Sequence, residues 1–482
     1  KNGTKMQFPI LLGSFLTSNK ESFQLFLFFV IFMRSIMFGS SSSKLTSLID
    51  RMKQAESALI TFASRFSHHY DENSHTLELF DTKIPRSSVP LKKDEPCQLF
   101  CNEKNEDYLV MHGIKVQSNL YEEGKDSNGG DTTKTAPLVL LHGYANGSLY
   151  FYRNLLGISN YGFGGTVYAL DLLGWGLSSR PAFKTQSMEG YDEVGVAEQF
   201  FVESLEAWRK AHEIERMTLG GHSMGGYVSI AYAEKYPQHV DQLILLSPVG
   251  VPDDTGGEKE FQERKKEMSL SVRFMIGVAS SLWKFGVTPS SFVRSMPQSR
   301  GHKMVGNYVQ GRLPAITCPD EQKHLTEYLY LNAALPASGE DCLNKLLKPF
   351  AFPKKPALHR IPTLNVKKVS FIYGQNDWMD VGGGLEAQKL CRKLKQDGKE
   401  NTPHVQVLGV KDAGHLLMLE NWQEFNNAVI MTCGEGHKLP NNAPKPINFD
   451  DINNDPDSFF RKPRWEKRDS RKNAEGASPS AA

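Results

Sequence analysis

The stretch "LGGHSMGGYVS" (residues 219–229) sets one serine, Ser223, between Gly221 and Gly225. Residues without side chains on both sides of a hydroxyl imply a turn so tight that a Cβ would clash. Such a turn holds the serine in a strained, exposed pose. The residues before it, "MTLGGHS", are apolar in the manner of a buried strand, and residues 224–236 carry a helical pattern. A G-x-S-x-G pentapeptide between a strand and a helix is the context that a nucleophile elbow requires. Met224 opens the helix, and Gly225 and Gly226 let helix and strand cross closely.

Outward from the elbow, apolar runs recur on either side: "LVLLHG", "TVYALD", "VDQLILLSP", "KVSFIYG" and "HVQVLG". Helical patterns separate them at 190–212, 384–397 and 420–432. Buried strands alternating with helices predict an α/β fold with a mainly parallel sheet covered on both faces. The alternation lapses for roughly a hundred residues between "LILLSPVGVP" and "VKKVSFIYG". An insertion there would cap the carboxyl ends of the strands, where α/β proteins bind ligands.

Chain order then assigns partners to the serine. In the α/β-hydrolase arrangement the triad runs Ser, acid, His. "VSFIYGQNDWMD" offers Asp377 and Asp380. Asp377, three residues past the glycine that ends the strand, has the better position for the acid, and Asp380 reads as a helix cap or a solvent-facing residue. "VQVLGVKDAGHLLMLE" places His415 in the loop after the last of these strands, as the base that takes the serine proton. The backbone N–H groups of Met224 and Tyr144, the latter in "LVLLHGYANGS", are the expected oxyanion donors. His142 precedes the serine and does not fit the order. No H-E-x-x-H and no dinucleotide glycine fingerprint is present, so neither a metal nor an organic cofactor is expected.

These motifs, with "ALDLLGWGLSSRP" and "DAGHLLMLEN", resemble the α/β-hydrolase-domain lipid enzymes related to the lipid-droplet lipase coactivator. Within that group the likeness is greatest to the fungal mitochondrial cardiolipin-specific deacylases, over roughly residues 95–432. The coactivator has lost its serine, whereas this chain keeps Ser223, so the resemblance implies an active hydrolase. It implies phospholipid, cardiolipin above all, as substrate. Members described as lysophosphatidic acid acyltransferases carry H-x4-D, where this chain has His415 and Glu420. Glu420 reads instead as a helix N-terminal acid. Acyltransfer and a non-catalytic lipid-bound regulator of another lipase stand as the alternatives.

The remaining features concern surroundings. Among 482 residues, 40% are hydrophobic and 23% charged, and the net charge of +2 gives no global field for nucleic acid. Cys97, Cys101, Cys318, Cys342, Cys391 and Cys433 are few and scattered, which suggests free thiols. The apolar run at 25–33 is shorter than the ~20 residues that span a bilayer. From Met33 or Met37 the chain is Ser-rich and basic, like a mitochondrial presequence. Peripheral association with the inner membrane follows as the expected location, with a lipid droplet or the endoplasmic reticulum surface as the alternative. Residues 268–319 hold six Lys/Arg and no acid, interleaved with apolar residues. That pattern suits an anionic lipid surface and makes Arg273, Trp283, Lys284 and Arg294 candidate contacts. The expected organisation is an N-terminal leader with a helix (1–94), core (95–251), cap (252–364), core (365–432) and a polar, solvated tail (433–482).

Overall fold

A computed structural model of the chain describes residues 42–66, 74–91, 97, 99, 107–119, 136–183, 190–253, 255–433, 443–451 and 454–460. The apolar run at 25–33 and the polar stretch at 122–135 lie outside the described residues.

One nine-stranded sheet organises the chain. Its strands are β1 (His75–Pro85), β2 (Tyr108–Ser118), β3 (Leu138–Leu141), β4 (Thr166–Leu170), β5 (Met217–His222), β6 (Val240–Leu246), β7 (Lys368–Gly374), β8 (His404–Val410) and β9 (Ile447–Asn448). They lie in the order β1-β2-β4-β3-β5-β6-β7-β8-β9. From β4 through β8 every pairing is parallel, and β1, β2 and β9 add antiparallel edges. The central strands are buried along almost their whole length, as the continuous apolar runs require.

The longer helices are α1 (Ser42–Ala63), α2 (Glu193–Ala211), α3 (Met224–Lys235), α4 (Thr255–Glu267), α5 (Leu270–Lys284), α6 (Pro289–Ser295), α7 (Gln298–Arg312), α8 (Pro319–Ala334), α9 (Gly382–Gln396) and α10 (Trp422–Met431). Two apolar cores form, one on each face of the sheet. One gathers Phe200, Trp208, Tyr227 and Phe371, and the other gathers Leu59, Leu140, Tyr150, Tyr328 and Phe425. Helices α4 to α8 fall between β6 and β7, which are neighbours in the sheet, so the long insertion leaves and returns at the same place.

Several boundaries differ from the sequence reading. The sheet begins at His75, inside the stretch read as leader, because β1 pairs with β2 over its whole length. The helix expected within the leader runs over Ser42–Ala63, and its Met52, Ala55, Leu59 and Phe62 are buried on one face. It packs on α8, and Arg51 Nη2 meets Glu327 Oε1 at 2.6 Å. The part of the presequence-like stretch from Ser42 onward is therefore built into the fold. The tail is not wholly solvated either: Ile447 pairs with β8, while Phe449, Phe459 and Phe460 pack together over it. Four aromatic or aliphatic residues among the prolines and asparagines suffice to dock that segment. Cys97 is disulfide-bonded, so the free-thiol reading fails there, while Cys318, Cys342, Cys391 and Cys433 are free.

Candidate active site

The elbow forms because backbone must pass where side chains cannot. A Cβ on Gly221 would lie 2.3 Å from the Gly225 carbonyl oxygen, and one on Gly225 would lie 2.5 Å from that of Leu141. Ser223 itself takes φ 53°, ψ −114°, a positive-φ conformation costly for any residue with a side chain. Four bonds hold it there: its N–H donates to Leu246 O at 2.9 Å, and its carbonyl accepts the Gly226, Tyr227 and Val249 amides at 3.0, 3.3 and 3.2 Å. Strain stored in this way points a hydroxyl outward from the carboxyl end of β5.

Asp377 and His415 arrive from the loops after β7 and β8. His415 Nδ1 donates to Asp377 Oδ1 at 3.2 Å, and both residues are buried. The Met379 N–H donates to the same oxygen at 2.9 Å. Burial alone would raise the Asp377 carboxyl. The His415 ring beside it, with hydrogen bonding from His415, Ser247 and the Met379 amide, outweighs burial and holds it below the usual carboxylate range. The acid is thus kept charged, as an orienter of a histidine must be. The Ser223 hydroxyl makes no hydrogen bond to His415 among the described residues, an opening common before substrate enters. Asp380 is exposed and accepts the Gly382 N–H at 2.8 Å, while the N-cap position of α9 is Val381.

The Tyr144 and Met224 N–H groups find no acceptor among the described residues. They flank the serine from the β3 loop and the first turn of α3. The Tyr144 side chain has a second task, since its hydroxyl donates to Ser290 Oγ at 3.0 Å and accepts the Ser290 N–H at 3.1 Å. That pair ties the loop after β3 to the start of α6 in the cap. His142 is fully used: Nδ1 faces Gly143 O at 2.7 Å and Nε2 accepts the Leu172 N–H at 3.0 Å.

Two positioning residues escaped the sequence reading. His222, inside the pentapeptide, donates from Nε2 to His415 O at 2.9 Å, and burial pushes it down to about 3, so it stays neutral. Glu420, read from the sequence as a helix N-terminal acid, lies in the first and only turn of the short helix Leu417–Glu420. Its carboxylate reaches back to accept the Gly414 N–H at 2.7 Å and the Leu416 N–H at 3.2 Å, clamping the loop on both sides of His415. The H-x4-E spacing was the signal, because a single helical turn brings that carboxylate back over the loop.

The surface candidates divide. Arg273 and Lys284 are exposed on α5. Arg294 is not available for a surface contact: Nη1 donates to Ala333 O at 2.7 Å and Leu335 O at 2.9 Å, and Nη2 pairs with Glu340. It closes the carboxyl end of α8. Trp283 turns inward, donating from Nε1 to Leu347 O at 3.1 Å. Among the described residues one group has metal-ligating chemistry, buried Glu56, His112 and Asp171. There His112 Nδ1 meets Asp81 Oδ1 at 2.7 Å and Nε2 lies 3.2 Å from Glu56, while Asp171 accepts the Ser148 and Leu177 amides. It lies on the β1–β2 side of the sheet, and burial raises the Glu56 carboxyl within it.

A strained serine after β5, an acid after β7 and a histidine after β8 on one parallel sheet define an α/β hydrolase. The chain belongs to that family, whose match, described as alpha/beta hydrolase fold, covers residues 136–421. It is 34% identical over 310 residues to the 1-acylglycerol-3-phosphate O-acyltransferase of Arabidopsis thaliana, covering 63% of this chain and 68% of that one. Protein ECM18 of Saccharomyces cerevisiae is 25% identical over 367 residues, covering 68% and 78%. The 1-acylglycerol-3-phosphate O-acyltransferase ABHD5 of Rattus norvegicus is 29% identical over 334 residues, covering 69% and 85%. The relatives agree with the resemblance to coactivator-related lipid enzymes.

Proposed function

We propose that this chain transfers fatty acyl groups to and from glycerophospholipids through an acyl-enzyme on Ser223, with a 1-acylglycerol-3-phosphate as acceptor. The observation that carries the reading is the His415–Asp377 pair at 3.2 Å, set in the loops beside a serine elbow flanked by two open amides. Ser223 attacks the acyl carbonyl while His415 takes its proton, and the Tyr144 and Met224 amides receive the oxyanion. His415 then protonates the departing group. It next takes the proton of the incoming lysolipid hydroxyl, which attacks the acyl-enzyme carbonyl; the bond to Ser223 Oγ then breaks as His415 returns that proton to the serine. The names of the curated relatives support this acceptor over water.

A second reading replaces the lysolipid by water, giving a phospholipase A-type deacylase with cardiolipin as its substrate. Glu420 favours it, because the carboxylate in the H-x4-D position is spent on two loop amides and is not placed to activate an acceptor.

Purified protein and its Ser223→Ala variant, each given lysophosphatidic acid with acyl-CoA and, separately, mixed phospholipid vesicles containing cardiolipin, decide between them. Serine-dependent phosphatidic acid formation supports transfer. Serine-dependent monolysocardiolipin with free fatty acid and no phosphatidic acid supports deacylation. No serine-dependent product in either assay sinks both and leaves the non-catalytic regulator.

A further inference from the structure

Helix α5 is apolar on two sides. Met275, Ile276, Ala279, Leu282 and Trp283 turn toward the protein and are partly buried, yet no residue of the helix is fully buried. On the opposite side Leu270, Phe274 and Phe285, the last at its C-cap, are 80%, 61% and 69% exposed. At 100° per residue these three fall within a sector of about 60°, with the small Gly277 and Ser281 between them. Arg273 and Lys284 lie along one edge of that sector, both exposed. Soluble proteins seldom present large side chains to water in a row along one helix. A helix with basic residues beside an exposed apolar ridge lies well in the interface of a bilayer, rings among the acyl chains and cations at the phosphates.

We propose that α5 docks flat on an anionic bilayer through Leu270, Phe274 and Phe285, with Arg273 and Lys284 at the headgroups. This deepens the lipid-substrate reading of Ser223 and rests on it for its purpose. The charge pattern selects a membrane over a protein partner: the whole run 268–319 carries no acid to repel phosphate. Location agrees. Two residues separate Gly286 from the start of α6, and Ser290 in its first turn is bonded to Tyr144 beside Ser223. Docking α5 therefore sets the catalytic end of the sheet against the lipid surface.

Co-sedimentation of the full chain carrying Ser223→Ala, so that no lipid is consumed, tests the proposal. The vesicles are phosphatidylcholine with or without phosphatidylglycerol. The expected result is binding that needs phosphatidylglycerol, falls about tenfold in Arg273→Glu/Lys284→Glu and falls at least as far in Leu270→Ser/Phe274→Ser/Phe285→Ser. The apolar triple variant in the Ser223 background should keep its melting temperature and its turnover of a water-soluble short-chain ester. Binding unchanged in both variants overturns the proposal and assigns the ridge to another partner, as does binding that ignores phosphatidylglycerol. Absent ester turnover by the Ser223 protein would sink the Ser223 reading alone, since co-sedimentation does not use it.

Discussion

At the scale of single residues, the site separates groups that react from groups that hold them. Asp377→Asn keeps the shape of the contact but offers an N–H where His415 needs an acceptor for its own. Turnover is expected to fall by about 10⁴-fold with the melting temperature nearly kept, a split that steady-state kinetics beside calorimetry would reveal. Glu420→Gln leaves one carbonyl oxygen for two amides at Gly414 and Leu416, and should cost roughly 1–3 kcal/mol in urea denaturation. Glu420→Asp keeps a carboxylate on a side chain one methylene shorter, which no longer reaches both amides, and should be no more stable. His112 makes a prediction about pH. Burial would lower it, but hydrogen bonds to Asp81 and Glu56 carry it up to about 10. A raised folded value means that its stabilisation is complete below the unfolded value of about 6.5 and is lost as pH rises toward 10. Melting temperature followed over that interval should fall more steeply in the native chain than in His112→Gln, and parallel curves would count against the assignment.

At the scale of elements, what was legible in the sequence was what periodicity and chain order encode. The helices read at 190–212, 224–236, 384–397 and 420–432 stand at 193–211, 224–235, 382–396 and 422–431. The placement of Ser223, Asp377 and His415 at strand ends was legible because each ends or follows a strand in a fixed order. Strand β1 was not legible. It alternates polar and apolar residues at an exposed edge, with most side chains half-covered or open, and so carries no buried run. Nor could spacing tell Arg294, which closes α8, from Arg273, which faces out, since both follow the same basic and apolar pattern. The Tyr144–Ser290 pair joins two elements whose sequences give no hint of each other. Tyr144→Phe removes the tether and leaves the backbone amide. It is expected to lower turnover severalfold and to quicken amide hydrogen exchange at the start of α6, with the core strands unchanged.

At the scale of the whole molecule, segments from far apart in the chain complete one sheet. Removing residues after 442 would strip Ile447, Phe449, Phe459 and Phe460 from β8 and from Gly409, where the Phe459 ring lies so close that no Cβ could fit. Full burial of a ring of this size is worth roughly 1.5–3 kcal/mol; Phe449 is buried and Phe459 and Phe460 are half-buried, so the truncation should lower the melting temperature by several degrees, although the polar composition of the segment argues the opposite.

The insertion between β6 and β7 also bears on synthesis. Ser223 is translated before any of the cap, and His415 follows 192 residues after the serine. A chain that ends before β8 thus carries Ser223 without the His415 that the proposed mechanism requires. On the proposed mechanism, acyl transfer becomes possible only once translation has passed both the cap and β8.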